Sequence, residues 1–192
     1  MPDSLAPDAV LPLLRGRFGR PYRYARVCES TQRLFAEDDA EGAVAATEEQ
    51  TEGRGRLGRT WEAPAATSVL ASVVLAPDVP TERFPELMLV AGEAVAEAIR
   101  SEVGVAAQIR FPNDVLVGGR KVAGVLAEAS GGRVVLGFGI NANQEEAELP
   151  AEATSVRLEM DAVVDRARLL AAVLAELERR YDAWVSARAA SG

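Results

Sequence analysis

Gln108-Ile109-Arg110-Phe111-Pro112-Asn113-Asp114-Val115-Leu116-Val117-Gly118-Gly119-Arg120-Lys121-Val122-Ala123-Gly124-Val125-Leu126-Ala127-Glu128 is the stretch that decides the fold. Apolar runs at 115–117 and 121–128 flank a double glycine. That is a strong hairpin signal, because both glycines accept the positive φ of a tight turn. Residues 108–111 read as a further strand ended by Pro112. Upstream, Phe84, Leu87, Met88, Ala91, Val95, Ala98 and Ile99 recur at three- and four-residue intervals. This predicts a helix that begins near Thr81 and stops at Gly104. Downstream, residues 134–140 form a continuous apolar strand carrying Gly137 and Gly139. A second helix over 165–187 aligns Leu169, Leu170, Val173, Leu174, Leu177, Tyr181 and Trp184 on one stripe. Residues 43–47 and 68–75 read as buried strands. Residues 10–14 read as a short helix leading to an edge strand, and residues 32–37 as a helix with Ser30-Thr31 at its start. No internal repeat interrupts the order. The pattern predicts an α+β fold with a mixed, mainly antiparallel β-sheet covered by helices.

The 192 residues suffice for one domain with a sizeable core. Three small counts say more. There is no histidine, one cysteine (Cys28), and one lysine (Lys121) against 20 arginines. Without histidine, Ser-His-Asp and Cys-His catalysis and imidazole metal sites are excluded. One cysteine forms no intrachain disulfide; Cys28 reads as a small buried hydrophobe. No apolar run approaches the ~20 residues of a membrane span, so the expectation is a cytoplasmic protein with no membrane association. The net charge of -8 argues against nucleic-acid binding. Residues 29–52 carry eight carboxylates against Arg33 alone, and the sign then flips at Arg54, Arg56 and Arg59. A local cationic loop in an acidic chain suits one small anion better than a polyanion.

Several segments carry chemistry. In Gly53-Arg54-Gly55-Arg56-Leu57-Gly58-Arg59 the glycines permit tight bends while guanidinium forks reach phosphate or carboxylate oxygens. Taken alone it reads equally as a solvated basic turn. Asn113 and Asp114 after Pro112 read either as a local turn or as an amide and carboxylate beside a ligand. Lys121 shares a strand face, by simple alternation, with Ala123, Val125 and Ala127. In a chain that otherwise uses arginine, it is a candidate point charge beside developing negative charge. Gly124, Gly137 and Gly139 inside strands mark either a bulge or the close approach of a ligand. Gln50 could bind a ureido or amide group, or simply lie at the surface.

Taken in order, Ser30-Thr31-Gln32, Glu49 to Trp61, Phe111 to Val117, Gly119 to Gly124 and Gly137 to Asn143 resemble the bacterial biotin protein ligases, or biotin-[acetyl-CoA-carboxylase] ligases. The likeness runs from about residue 27 to the last helix. It implies the catalytic-domain fold of the biotin/lipoate ligase superfamily, similar to class II aminoacyl-tRNA synthetases. It also implies a two-step reaction: biotin and MgATP give biotinyl-5'-adenylate, and a carrier-protein lysine then takes the biotin. Neither step needs an enzyme nucleophile.

By motif, the resemblance places Lys121, Arg54 and Arg56 in catalysis. It assigns biotin contacts to Ser30, Thr31, Gln32, Gln50, Arg54, Gly55, Arg56, Lys121, Gly137 and Gly139. It assigns ATP and adenylate contacts to Arg54, Arg56, Trp61, Asn113, Asp114, Lys121 and Asn141. Magnesium would accompany ATP at a site the sequence does not identify, and no tightly bound cofactor is expected. The implied partner is the biotin carboxyl-carrier domain of acetyl-CoA carboxylase; homodimerisation through the sheet is allowed but no sequence pattern requires it.

Three departures stand out. Gln32 replaces the usual asparagine. Arg110-Phe111 replaces Lys-Trp before Pro-Asn-Asp. The chain stops at Gly192, where relatives usually continue into a small β-barrel. The expectation is therefore a single catalytic domain over 1–192, with neither that barrel nor an N-terminal DNA-binding domain and so no repressor role. A lipoate or octanoate transferase and a non-catalytic biotin-binding module are the alternatives.

Overall fold

The structure, a computed structural model, describes residues 3–189. Seven strands form one sheet: β1 Tyr22–Cys28, β2 Val44–Gln50, β3 Ser68–Leu75, β4 Ala107–Arg110, β5 Asp114–Val117, β6 Arg120–Ser130 and β7 Arg133–Asn141. Their spatial order is β1-β2-β3-β7-β6-β5-β4. β1 pairs with β2 in parallel, and every other pairing is antiparallel. The mixed sheet follows from the sequence: short hairpins join β4 through β7, whereas β1 and β2 are separated by a longer acidic connection. As read from the sequence, β1 lies at an edge, with β4 at the other.

The helices are α1 Pro7–Val10, α2 Glu86–Val103, α3 Val156–Met160 and α4 Arg166–Ala189. The two long ones pack together against one face of the sheet. Alternation along the strands decides which side chains meet them. Val69, Ala71, Val73 and Leu75 of β3, and Val134, Leu136, Phe138 and Ile140 of β7, join the apolar stripes of α2 and α4 in one core. Gly104 ends α2 at φ +71°, the left-handed cap that glycine adopts freely. Their alternate neighbours, Leu70 and Ser72 on β3 with Gly137 and Gly139 on β7, line a cavity on the opposite face.

Three local expectations need correction. Residues 32–37 do not form a helix; a single 3-10 turn covers Thr31–Arg33, and Ser30 makes no capping bond. The Thr31 hydroxyl instead reaches Ser72 Oγ at 2.7 Å, 41 residues away in sequence. Cys28 is only half-buried. Lys121 does not share a face with Ala123 and Val125. Val115 pairs with Ala123 but Leu116 pairs with Lys121, so β6 carries one extra residue there. Across this bulge Val122 and Ala123 are both in the core. Lys121 is thereby rotated onto the cavity face with Gly124.

Candidate active site

The cavity encloses about 260 Å³, at the small end for a small-molecule site. Its floor is glycine. In register across the sheet, Asp114 faces Gly124, Gly124 faces Gly139, and Gly139 faces Leu70. One row along, Leu126 faces Gly137 and Gly137 faces Ser72. Two side chains lie on this floor. The Gln32 amide nitrogen comes within 3.0 Å of where a Cβ on Gly137 would sit, and the Trp61 indole within 2.6 Å of the same point on Gly139. A methyl at 139 must therefore displace the indole. We expect Gly139→Ala to cost about 1–3 kcal/mol and to shift the tryptophan emission; an unchanged spectrum and unfolding midpoint would contradict this packing.

One end of the cavity is neutral and polar. Gln50 Oε1 accepts from the Thr31 backbone N–H at 2.8 Å and from the Thr31 hydroxyl at 3.2 Å. Its oxygen is thus occupied, while its amide N–H groups remain to donate. Ser30 and Thr31 are both 3% exposed beside it.

The other end is ionic. Lys121 Nζ lies 2.7 Å from Asp114 Oδ1 and 5.5 Å from the centroid of the Trp61 ring. Arg110 holds the second oxygen of Asp114 at 2.6 Å. Burial alone would raise the Asp114 carboxyl, but the hydrogen bonds from Lys121 and Arg110 outweigh it and hold it below the ordinary carboxylate range. Asn113 donates its amide to the Val125 carbonyl at 3.2 Å, tying the Pro112 turn to β6.

The glycine-arginine stretch is an ordered hairpin rather than a loose basic turn. Arg54 bridges to Thr60, Gly55 N–H donates to the Arg59 carbonyl at 2.7 Å, and Trp61 N–H donates to the Gly53 carbonyl at 2.9 Å. A Cβ on Gly53 would fall 2.2 Å from the Trp61 carbonyl oxygen, so only glycine fits where the two limbs meet. The hairpin suspends three guanidiniums at the cavity mouth. Arg54 donates to Gln32 Oε1 at 3.0 Å and Glu128 Oε2 at 2.6 Å. Among the described residues, the side chains of Arg56 and Arg59 have neither a hydrogen-bond nor an ion-pair partner.

Thirteen of the positions that the resemblance named are brought together: Ser30, Thr31, Gln32, Gln50, Arg54, Gly55, Arg56, Trp61, Asn113, Asp114, Lys121, Gly137 and Gly139 all line the cavity. Asn141 does not. It is 5% exposed, and its amide donates to the Thr154 carbonyl at 3.0 Å behind the wall. Residues the sequence reading passed over include Ser72 and Glu128. Ser72 carried a signal, as a polar residue inside the otherwise apolar run of β3. No group of three or more His, Cys, Asp or Glu side chains among the described residues is placed to hold a metal ion.

A family model described as the biotin/lipoate A/B protein ligase family matches residues 24–145. The chain belongs to this family. Within the family, it is 34% identical over 176 residues to the bifunctional ligase/repressor BirA of Bacillus spizizenii, covering 85% of this chain and 54% of that protein. It is 40% identical over 153 residues to a biotin--[acetyl-CoA-carboxylase] ligase of Mycobacterium tuberculosis, covering 78% and 58%. Among solved structures, the biotin protein ligase from Aquifex aeolicus in complex with biotin and ATP superposes with a TM-score of 0.76 at 32% identity, covering 84% of this chain and 70% of that one. The chain thus spans little more than half the length of these two sequence relatives. No helix among the described residues is long and apolar enough to cross a membrane.

Proposed function

We propose that the protein condenses biotin with ATP to biotinyl-5'-adenylate and passes the biotin to a lysine of a carboxyl-carrier domain. The observation that carries this is a cavity neutral and amide-rich at one end and cationic at the other. Gly137 and Gly139, two residues apart on β7, set those ends roughly 7 Å apart. The neutral end, with Gln50, Thr31 and Ser72, suits a ureido group. The ionic end, with Lys121 beside Gly124, suits a carboxylate meeting an α-phosphate, while Arg54 and Arg56 stand on the hairpin at the mouth.

In the first step a biotin carboxylate oxygen attacks the α-phosphorus, the bond to the bridging oxygen breaks, and pyrophosphate leaves. Negative charge accumulates on the non-bridging oxygens, and Lys121 is the ammonium placed to offset it. In the second step the neutral carrier amine attacks the acyl carbon, the acyl–oxygen bond to the phosphate breaks, AMP departs and the amine's proton passes to solvent. The chain's role is to hold two anions together in the first step and to keep water from the adenylate in both, which needs neither histidine nor a nucleophile. Magnesium would enter with ATP. In this reading the reaction takes place in the cytoplasm, and a second copy would extend the sheet at β1 or β4.

Incubation with biotin, MgATP and a carrier domain is expected to release pyrophosphate and biotinylate the carrier. Lipoate in place of biotin is expected to give at most a small fraction of that rate, since its dithiolane offers no partner to the Gln50 amide. A preference for lipoate would overturn the substrate assignment. Tight biotin binding with no pyrophosphate at saturating ATP would point instead to a non-catalytic binding module.

A further inference from the structure

Glu128 lies outside the cavity, yet it is bonded to one of the three arginines at its mouth. It sits two residues beyond Leu126 on the same face of β6, where it pairs with Val135 of β7. Its Oε2 accepts from Arg54 Nη2 at 2.6 Å, and Gln32 Oε1 accepts from the same nitrogen at 3.0 Å. Gln32 Nε2 in turn lies 3.3 Å from the Leu126 carbonyl and 3.4 Å from that of Val135. The result is a chain, Glu128 to Arg54 to Gln32 to the strand carbonyls, drawn across the floor above Gly137.

The geometry of guanidinium gives this chain a consequence. Arginine grips a carboxylate or phosphate with two parallel N–H groups, and both available prongs, Nε with Nη2 and Nη1 with Nη2, include Nη2. Here both Nη2 hydrogens are committed. Arg54 therefore cannot offer a two-pronged grip until it releases Glu128 or Gln32. Gln32 also fills the space that Gly137 leaves open, so a ligand reaching the floor has to move the residue on which Arg54 rests.

We infer that Glu128 is a positioning residue that latches Arg54 in the ligand-free protein, and that the ligand's anionic group competes with it for the guanidinium. The inference rests on the reading of the cavity as an anion-ligand site. The pair is surface-accessible, with Arg54 37% and Glu128 43% exposed, so its worth is modest. Removing the competing charge should tighten anion binding roughly two- to fivefold. Because salt screens such pairs, the gain should shrink as ionic strength rises.

The test is calorimetric titration of the wild type, Glu128→Gln, Arg54→Gln and the double variant with biotin, biotinamide and inorganic pyrophosphate. Glu128→Gln should bind biotin or pyrophosphate more tightly while biotinamide, which has no negative charge, is unchanged. The gain should vanish in the Arg54→Gln background, and the unfolding midpoint should barely move. Equal affinities for both anions, an equal gain for biotinamide, or a gain that survives Arg54→Gln would each overturn the latch. Pyrophosphate binding without biotin binding by the wild type would instead defeat the biotin reading while leaving the latch measurable.

Discussion

Lys121→Ala is expected to slow biotinyl-adenylate formation by about 100-fold or more, the scale for losing one preorganised donor at developing charge. The ammonium is held in a slot between the Asp114 carboxylate at 2.7 Å and the face of Trp61, where it is 30% exposed. Its fixed position is the basis of the size of the effect: in the proposed reaction, a donor already held in place needs no reorganisation as charge builds. Truncation should leave the fold intact, because Asp114 keeps Arg110 at 2.6 Å and is not left as an unpaired carboxylate. The main chain of Lys121 also keeps its bonds to the Glu152 carbonyl and the Thr154 N–H. Biotin affinity should change less than the rate of adenylation, since the charge being stabilised is largest in the transition state. Lys121→Arg should not restore the rate, since a planar fork is wider than the slot. Single-turnover release of pyrophosphate measures the effect, and a near-normal rate for Lys121→Ala would refute the assignment.

The second large effect concerns stability. Arg166, the first residue of α4, is fully buried. Its Nε donates to Asp3 Oδ2 and its Nη1 to Glu48 Oε2, both at 2.7 Å, with further bonds to the carbonyls of Ser68 and Asp3 at 3.1 Å. Glu48 also accepts from the Leu5 N–H at 2.7 Å and from Ser4. One guanidinium thus joins the N-terminal segment, β2, β3 and α4. Arg166→Ala strands a buried carboxylate and should destabilise the protein by about 3–5 kcal/mol, measured by urea unfolding. Combining Arg166→Met with Glu48→Gln removes both charges and should cost clearly less. A loss below about 1 kcal/mol for Arg166→Ala would show the network to be dispensable.

The acid dependence has a definite sign. Burial would raise the Glu48 carboxyl, but the Leu5 N–H and the Arg166 guanidinium outweigh it, and its folded pKa lies below the usual value. A depressed carboxyl contributes stability that is complete above the unfolded pKa of about 4.3 and fades as pH falls through the lower folded value. The gap between wild type and Arg166→Ala should therefore narrow below about pH 4, as protonated Glu48 ceases to need a cation.

The sheet and the long helices were legible from sequence because apolar period alone specifies them. The stripes from Leu87 to Ile99 and from Leu169 to Trp184 are buried where the spacing put them, and Gly118-Gly119 makes the turn between β5 and β6. Much of the cavity lining was legible too, from several motifs taken in order rather than from the glycine-arginine stretch, which alone reads equally as a solvated turn. What escaped has one physical origin, contact between distant residues. Thr31 looked like a helix cap because its partner Ser72 is 41 residues away. Glu128 was passed over because Arg54 is 74 residues distant. Asn141 sits in a site-like motif, yet its amide is engaged by Thr154. Lys121 was placed on the wrong strand face because alternation assumes an unbroken ladder.

The extra residue at Val122 separates two messages carried by one strand. Beyond it, β6 obeys the even-odd rhythm that packs Ala123 and Val125 beneath the helices; before it, the rhythm is shifted by one so that the ammonium emerges on the other side. Folding and chemistry are thus written out of phase with each other. Selection can tune the apolar beat for stability without turning the lysine away from the cavity, and can reshape the cavity side without unpicking the core.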